Sequence, residues 1–140
     1  MHDYTSVLQS YQRALAIRIK LSGEEHESTA DCYRELGVTQ NKMHDYTSAL
    51  QSHEGALAMR IKLFGEEHES TADSYRQVSA TQNNMHDYTK AVQFHQRALA
   101  IRVKLFGEEH ESTADSYRQR DITQHEIHDF TSAFNPFSMH

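Results

Sequence analysis

The stretch Phe64-Gly-Glu-Glu-His-Glu-Ser-Thr-Ala-Asp-Ser-Tyr-Arg-Gln77 recurs letter for letter from Phe106 to Gln119. A near-copy, Ser22-Gly-Glu-Glu-His-Glu-Ser-Thr-Ala-Asp-Cys-Tyr-Arg-Glu35, precedes both. Its glycines, Gly23, Gly65 and Gly107, lie 42 residues apart, as do His2, His44, His86 and His128. Between 44–85 and 86–127, 29 of 42 aligned positions are identical. A fixed period of this size marks a solenoid or propeller. The chain therefore divides into 2–43, 44–85 and 86–127, with 128–140 as a truncated fourth copy.

Within one period the apolar positions Ala49, Leu50, His53, Ala56, Leu57, Arg60, Ile61 and Phe64 step by three and four, the face of an amphipathic helix. No strand-like alternation competes. Asp45 is placed to cap the start of this helix and Gly65 to end it in a left-handed conformation, with Arg60 and Lys62 near the negative end of its dipole. A second helix is predicted from about Thr71 to Asn83, with Ser70 as N-cap and Asp73 completing a capping box. Its inward stripe is Ala72, Tyr75, Val78, Ser79 and Gln82. The connections are short enough to make neighbours antiparallel. The fold class is all-α, a solenoid of about three helix pairs.

The succession Tyr33-x2-Leu36-Gly37-x2-Gln40, then Ala49-x3-His53 and Ala56-Leu57, resembles the tetratricopeptide pattern. The 42-residue period and the run Ala-Leu-Ala-x-Arg-x-Lys-Leu-Phe-Gly-Glu-Glu-His resemble the longer repeats of kinesin light chains and nephrocystin-type proteins. That likeness implies a right-handed superhelix whose first helices line a concave groove for extended peptides.

Departures from the pattern fall at packing positions. Gln40, Gln82 and Gln124 replace an aromatic of the first helix, and His53 and His95 one of the second, while Tyr11 keeps it. Buried polar groups need partners, so Gln40 is expected to meet His53, and Gln82 to meet His95; the imidazoles also admit a pH-sensing role. In the last copy Arg120-Asp121 replace Leu36-Gly37 and Val78-Ser79, as a water-facing terminal repeat requires. The partial helix after His128 is expected to stop at Pro136. At the other end the chain opens on a second-type helix without its first-type partner. Its uncovered face implies either a piece of a longer array or contact with another copy.

Composition narrows the function. Fourteen basic against twenty acidic side chains argue against nucleic-acid binding. No apolar run is long enough to span a bilayer and no leader pattern opens the chain, so the cytoplasm is the expected location. The lone Cys32 matches Ser74 and Ser116 and reads as a small helix residue. Eleven histidines invite a metal reading, but the loop set His26, His68, His110 and the turn set recur once per repeat, too sparsely for a three- or four-ligand site. The denser His125-Glu126-Ile127-His128-Asp129 straddles a predicted helix break. No phosphate loop, nucleophile elbow or zinc-protease spacing occurs. Neither an enzyme nor a cofactor is expected.

The first helices carry one further stripe: Asp31, Arg34, Val38 and Asn41, repeated as Asp73, Arg76, Ala80 and Asn83 and as Asp115, Arg118, Ile122 and His125. The resemblance puts it in the groove. Its arginines suit carboxylates, Val38 and Ile122 offer apolar anchors, and the asparagines suit a peptide backbone. A partner protein or peptide with acidic residues is the expected ligand. The local alternative is an Asp31–Arg34 pair along one helix. A second functional reading is a structural element that self-assembles end to end through the uncovered first helix.

Overall fold

A computed structural model describes residues 3–133 as six helices in series. They are α1 (Thr5–Ser22), α2 (Glu27–Lys42), α3 (Tyr46–Phe64), α4 (Glu69–Asn84), α5 (Tyr88–Phe106) and α6 (Glu111–Ala133). Each packs on the next in the chain. The described residues form no strand, so the architecture is the all-α solenoid that the period predicts.

The helix ends correct the expected caps. The first-type helices begin two residues early, and the cap is the loop histidine: Nδ1 of His26, His68 and His110 accepts from the backbone N–H of Ser28, Ser70 and Ser112 at 3.1, 3.0 and 3.0 Å. Ser70 is thus a donor inside the first turn, and Asp73 takes no part in a capping box. Packing fixes the imidazoles, since His68 and His110 stack on Phe64 and Phe106 with centroids 4.4 Å apart. Asp45 caps α3 as expected, accepting from Ser48 N at 3.3 Å. Gly65 does end that helix at positive φ, but with φ 83° and ψ 178° it lies outside the left-handed helical well, in a region essentially reserved for glycine. Among the described residues the non-glycine positive-φ positions are His44 and His86, at the opposite turns.

The core is built from small residues, Ala30, Ala49, Ala56, Ala72, Ala91 and Ala98, around Leu36, Tyr75 and Val78. The expected Gln–His hydrogen bonds do not form. The Gln40 amide meets the Ser52 hydroxyl at 2.6 Å and, with its NH2 turned inward, reaches Leu36 O and Ser48 O. His53 is drawn instead under Gly37, where a Cβ would stand 2.5 Å from the ring. Neither ring nitrogen of His53 has a hydrogen-bond partner, nor has His95 Nε2 or Gln82 Oε1.

The last helix departs most from expectation. It runs unbroken from Glu111 through His125–Asp129, where two earlier copies turn. In those turns His44 and His86 are held by hydrogen bonds between Nδ1 and the hydroxyls of Tyr46 (2.6 Å) and Tyr88 (2.5 Å). The fourth copy has Phe130 there, without a hydroxyl, and Ile127 in place of Met43 and Met85. His125 pairs with Asp129 at 3.4 Å, one helical turn on, which favours continuation. Asp121 is exposed and paired with Arg120. The expected stop at Pro136 lies outside the described residues. At the opposite end α1 buries none of its residues, and Val7, Ile17 and Leu21 stay exposed.

Candidate functional site

The stripe residues of α2, α4 and α6 are brought together, but largely with one another. Arg34 Nε donates to Asp73 Oδ2 at 2.8 Å. Asn41 Nδ2 donates to Thr81 Oγ1 at 2.9 Å, and Arg76 Nε lies 3.3 Å from Asp115 Oδ2. Each link joins one first helix to the next first helix, 39 or 40 residues on. The helical pair Asp31–Arg34 does not form: Arg34 turns to Asp73 and its neighbour Glu35, while Asp31 receives Arg60.

Arg60 is the residue that sequence reasoning underrated. Expected near a helix end as a dipole partner, it is 6% exposed and forms the node of the ladder. Nη1 reaches Ser74 Oγ (2.9 Å), Ser70 O and Asp73 Oδ2 (both 3.2 Å), and Nη2 reaches Asp31 Oδ1 (3.2 Å). Burial raises the Asp73 carboxyl, but bonds and attraction from Arg34 and Arg60 outweigh it and hold the group below its ordinary range. Arg34 is held above its ordinary value, chiefly by its hydrogen bond to Asp73. Arg102 repeats the node, equally buried, with Ser116 Oγ at 2.9 Å, Glu69 gripped at 3.0 and 3.3 Å, and Asp115 at 3.8 Å. In the first copy Cys32 replaces the serine, and among the described residues Arg18 hydrogen-bonds only to Ser28 O, at 3.4 Å. The signal was present: Arg60 lies on the apolar stripe itself, 42 residues before Arg102 and 14 before Ser74.

The remaining stripe positions divide by depth. Val38 and Ala80 are half-buried and Ile122 is exposed. Asn41 Oδ1 and Asn83 Oδ1 are enclosed without hydrogen bonds. Arg118 is exposed and has no ion-pair partner among the described residues. A second ladder follows the loops, where Lys62 pairs with Glu25, and Lys104 with Glu67 at 2.5 Å. These exposed rungs contribute little stability. Among the described residues no three His, Cys, Asp or Glu side chains gather as a metal site, and no helix is long and apolar enough to cross a membrane.

A family model described as tetratricopeptide repeat matches residues 1–60, 36–102 and 70–139. Solved structures share the fold, among them the following three. BtubC (BKLC) from P. vanneervenii is 20% identical, with TM-score 0.70 over 95% of this chain and 58% of its own. The nearly identical TPR-like repeats assigned to a kinesin light chain in Podosopora anserina are 19% identical, with TM-score 0.78 over 97% of this chain and 69% of theirs. A point variant of the latter matches at 20% identity and TM-score 0.78, over 92% and 61%. The chain thus spans about three-fifths of two of these structures. The comparison with curated protein sequences returned no match.

Proposed function

The chain belongs to the tetratricopeptide-repeat family, and from that premise we propose a non-enzymatic, cytoplasmic scaffold that receives an extended, acidic peptide across α2, α4 and α6. Repeats of this family generally mediate protein–protein interaction. The observation that carries the finer reading is the row Arg34, Arg76 and Arg118. Arg34 is fixed by a hydrogen bond to Asp73 and Arg76 lies 3.3 Å from Asp115 without one, yet they keep about a third of their side-chain surface, 31% and 34%, exposed. A guanidinium already held in place loses little freedom when a carboxylate arrives. Val38, Ala80 and Ile122 beside it supply apolar footing.

Charge reversal of all three arginines removes inter-repeat pairs as well as ligand contacts, so Arg118→Glu is the cleaner probe. Binding to an array of acidic peptides is expected to weaken in Arg118→Glu with an unchanged melting temperature, and to vanish in the triple reversal. Undiminished binding in both discards the groove reading. The exposed Val7, Ile17 and Leu21 of α1 favour a second reading, self-assembly through that helix; a solution mass above that of one chain, lost in Leu21→Glu, would establish it.

A further inference from the structure

The two described first-type/second-type pairs carry equivalent cavities that differ in what covers the tyrosine. On α4 and α5, Tyr75 is covered twice: Phe94 stacks on its ring at 5.7 Å, and the Arg97 guanidinium carbon lies 5.7 Å above the ring centroid. Arg97 Nη1 donates to Tyr75 Oη at 3.1 Å, and that hydroxyl donates to Glu66 Oε2 at 2.8 Å. Tyr75 is left 2% exposed, beside a cavity of about 270 Å³ edged by Glu66, Glu67 and Lys104.

Forty-two residues earlier both covers are missing. Ser52 stands for Phe94 and Gly55 for Arg97, although α1 has Arg13 at the same register. Tyr33 is accordingly only half-buried, and a Cβ added at Gly55 would stand 3.4 Å from its ring. The cavity there, about 400 Å³, is edged by the equivalent Glu24, Glu25 and Lys62 and by Met59. Lys62 is engaged by Glu25, whereas Glu24 has no hydrogen-bond partner among the described residues. This copy keeps the aromatic platform and the acids that surround a guanidinium in the next copy, and lacks the guanidinium.

We propose that the Tyr33 cavity receives an arginine side chain from a partner protein, its guanidinium over the Tyr33 ring and bonded to Tyr33 Oη, beside Glu24. A planar guanidinium stacks on an aromatic face and donates in-plane at once, which a lysine ammonium cannot do. The chain's own Arg97 is the template. The site accepts a cation and is therefore separate in chemistry from the arginine row on α2, α4 and α6.

The test uses the full chain, with Tyr33 ring resonances identified through Tyr33→Phe, titrated with Nα-acetyl-arginine methylamide. Saturable shifts of Tyr33 are expected with the arginine probe, weaker ones with the lysine analogue, and none with the uncharged citrulline analogue. Gly55→Arg, which restores the residue found in both neighbouring copies, should weaken the Tyr33 response by at least about tenfold; Glu24→Gln should weaken it without changing helix content. Arg97→Gly should make Tyr75 respond as a second site. Equal shifts with citrulline, an undiminished response in Gly55→Arg, or a silent Tyr75 in Arg97→Gly would each overturn the proposal.

Discussion

Acidification from pH 7.5 to pH 5 should remove a large part of the stability of this fold, through two histidines. His53 and His95 are buried, and burial, helped by Arg34 and Arg60 around His53 and by Arg76 near His95, lowers each imidazole to about 4. Asp73 and Asp115 oppose this only in part. The sign follows from linkage: the unfolded chain takes up protons near 6.5 while the folded one resists until about 4, so stability is lost as pH falls through that window. At pH 5 the loss is roughly 2 kcal/mol per histidine, about 4 for both, against roughly 5–15 for a typical domain. Urea denaturation at pH 7.5, 6 and 5 measures it, with His53→Phe/His95→Phe as the control in which the slope should flatten. The acid-strengthened Asp73 acts in a separate window below the ordinary carboxylate value, which keeps the two effects apart. An equal stability at pH 7.5 and pH 5, or an unchanged slope in the double variant, refutes the reasoning.

Three further outcomes follow from the same contacts. Arg60→Met removes the bonds to Ser74, Ser70 O and Asp73, while Asp73 keeps Arg34 and Asp31 is mostly exposed, and should cost about 1–3 kcal/mol in chemical denaturation. Gly37→Ala forces a methyl onto the His53 ring and should destabilise by about 1–3 kcal/mol, a loss that His53→Ala in the same chain partly restores. His68→Ala removes the Ser70 cap and should cost about 1 kcal/mol, whereas Ser70→Ala should cost less because only its backbone is used; the reverse order in thermal melts would restore serine as the cap.

The elements were legible because their cause is periodic: apolar steps of three and four, repeated every 42 residues, leave few alternatives to a helix array. What lay hidden was which repeat supplies each partner. Asp31 and Arg34 are neighbours along a helix, so sequence pairs them, yet the closer carboxylate to Arg34 belongs to Asp73 in the next copy. Cap preference ranks serine first, and only the stacking of His68 on Phe64 shows why an imidazole takes that role. The Gln40–His53 expectation failed for a related reason: both are buried and polar, but Ser52 and Gly37, flanking them in space, offered each a better place.

The differences between copies carry as much information as their identity. Where Ser74 becomes Cys32, the arginine node thins to one long bond from Arg18. Where Tyr88 becomes Phe130, the hydroxyl that holds the turn histidine is gone and α6 runs on. Where Arg97 becomes Gly55, the tyrosine beneath is uncovered. In each case a neighbouring copy at the same register serves as a reference for the change, with other differences beside it, Ser52 for Phe94 and Ile127 for Met85 among them. Selection on the helices alone gives no reason for a glycine in the middle of α3, which costs roughly 1 kcal/mol against alanine. An opening above Tyr33, as proposed, gives one.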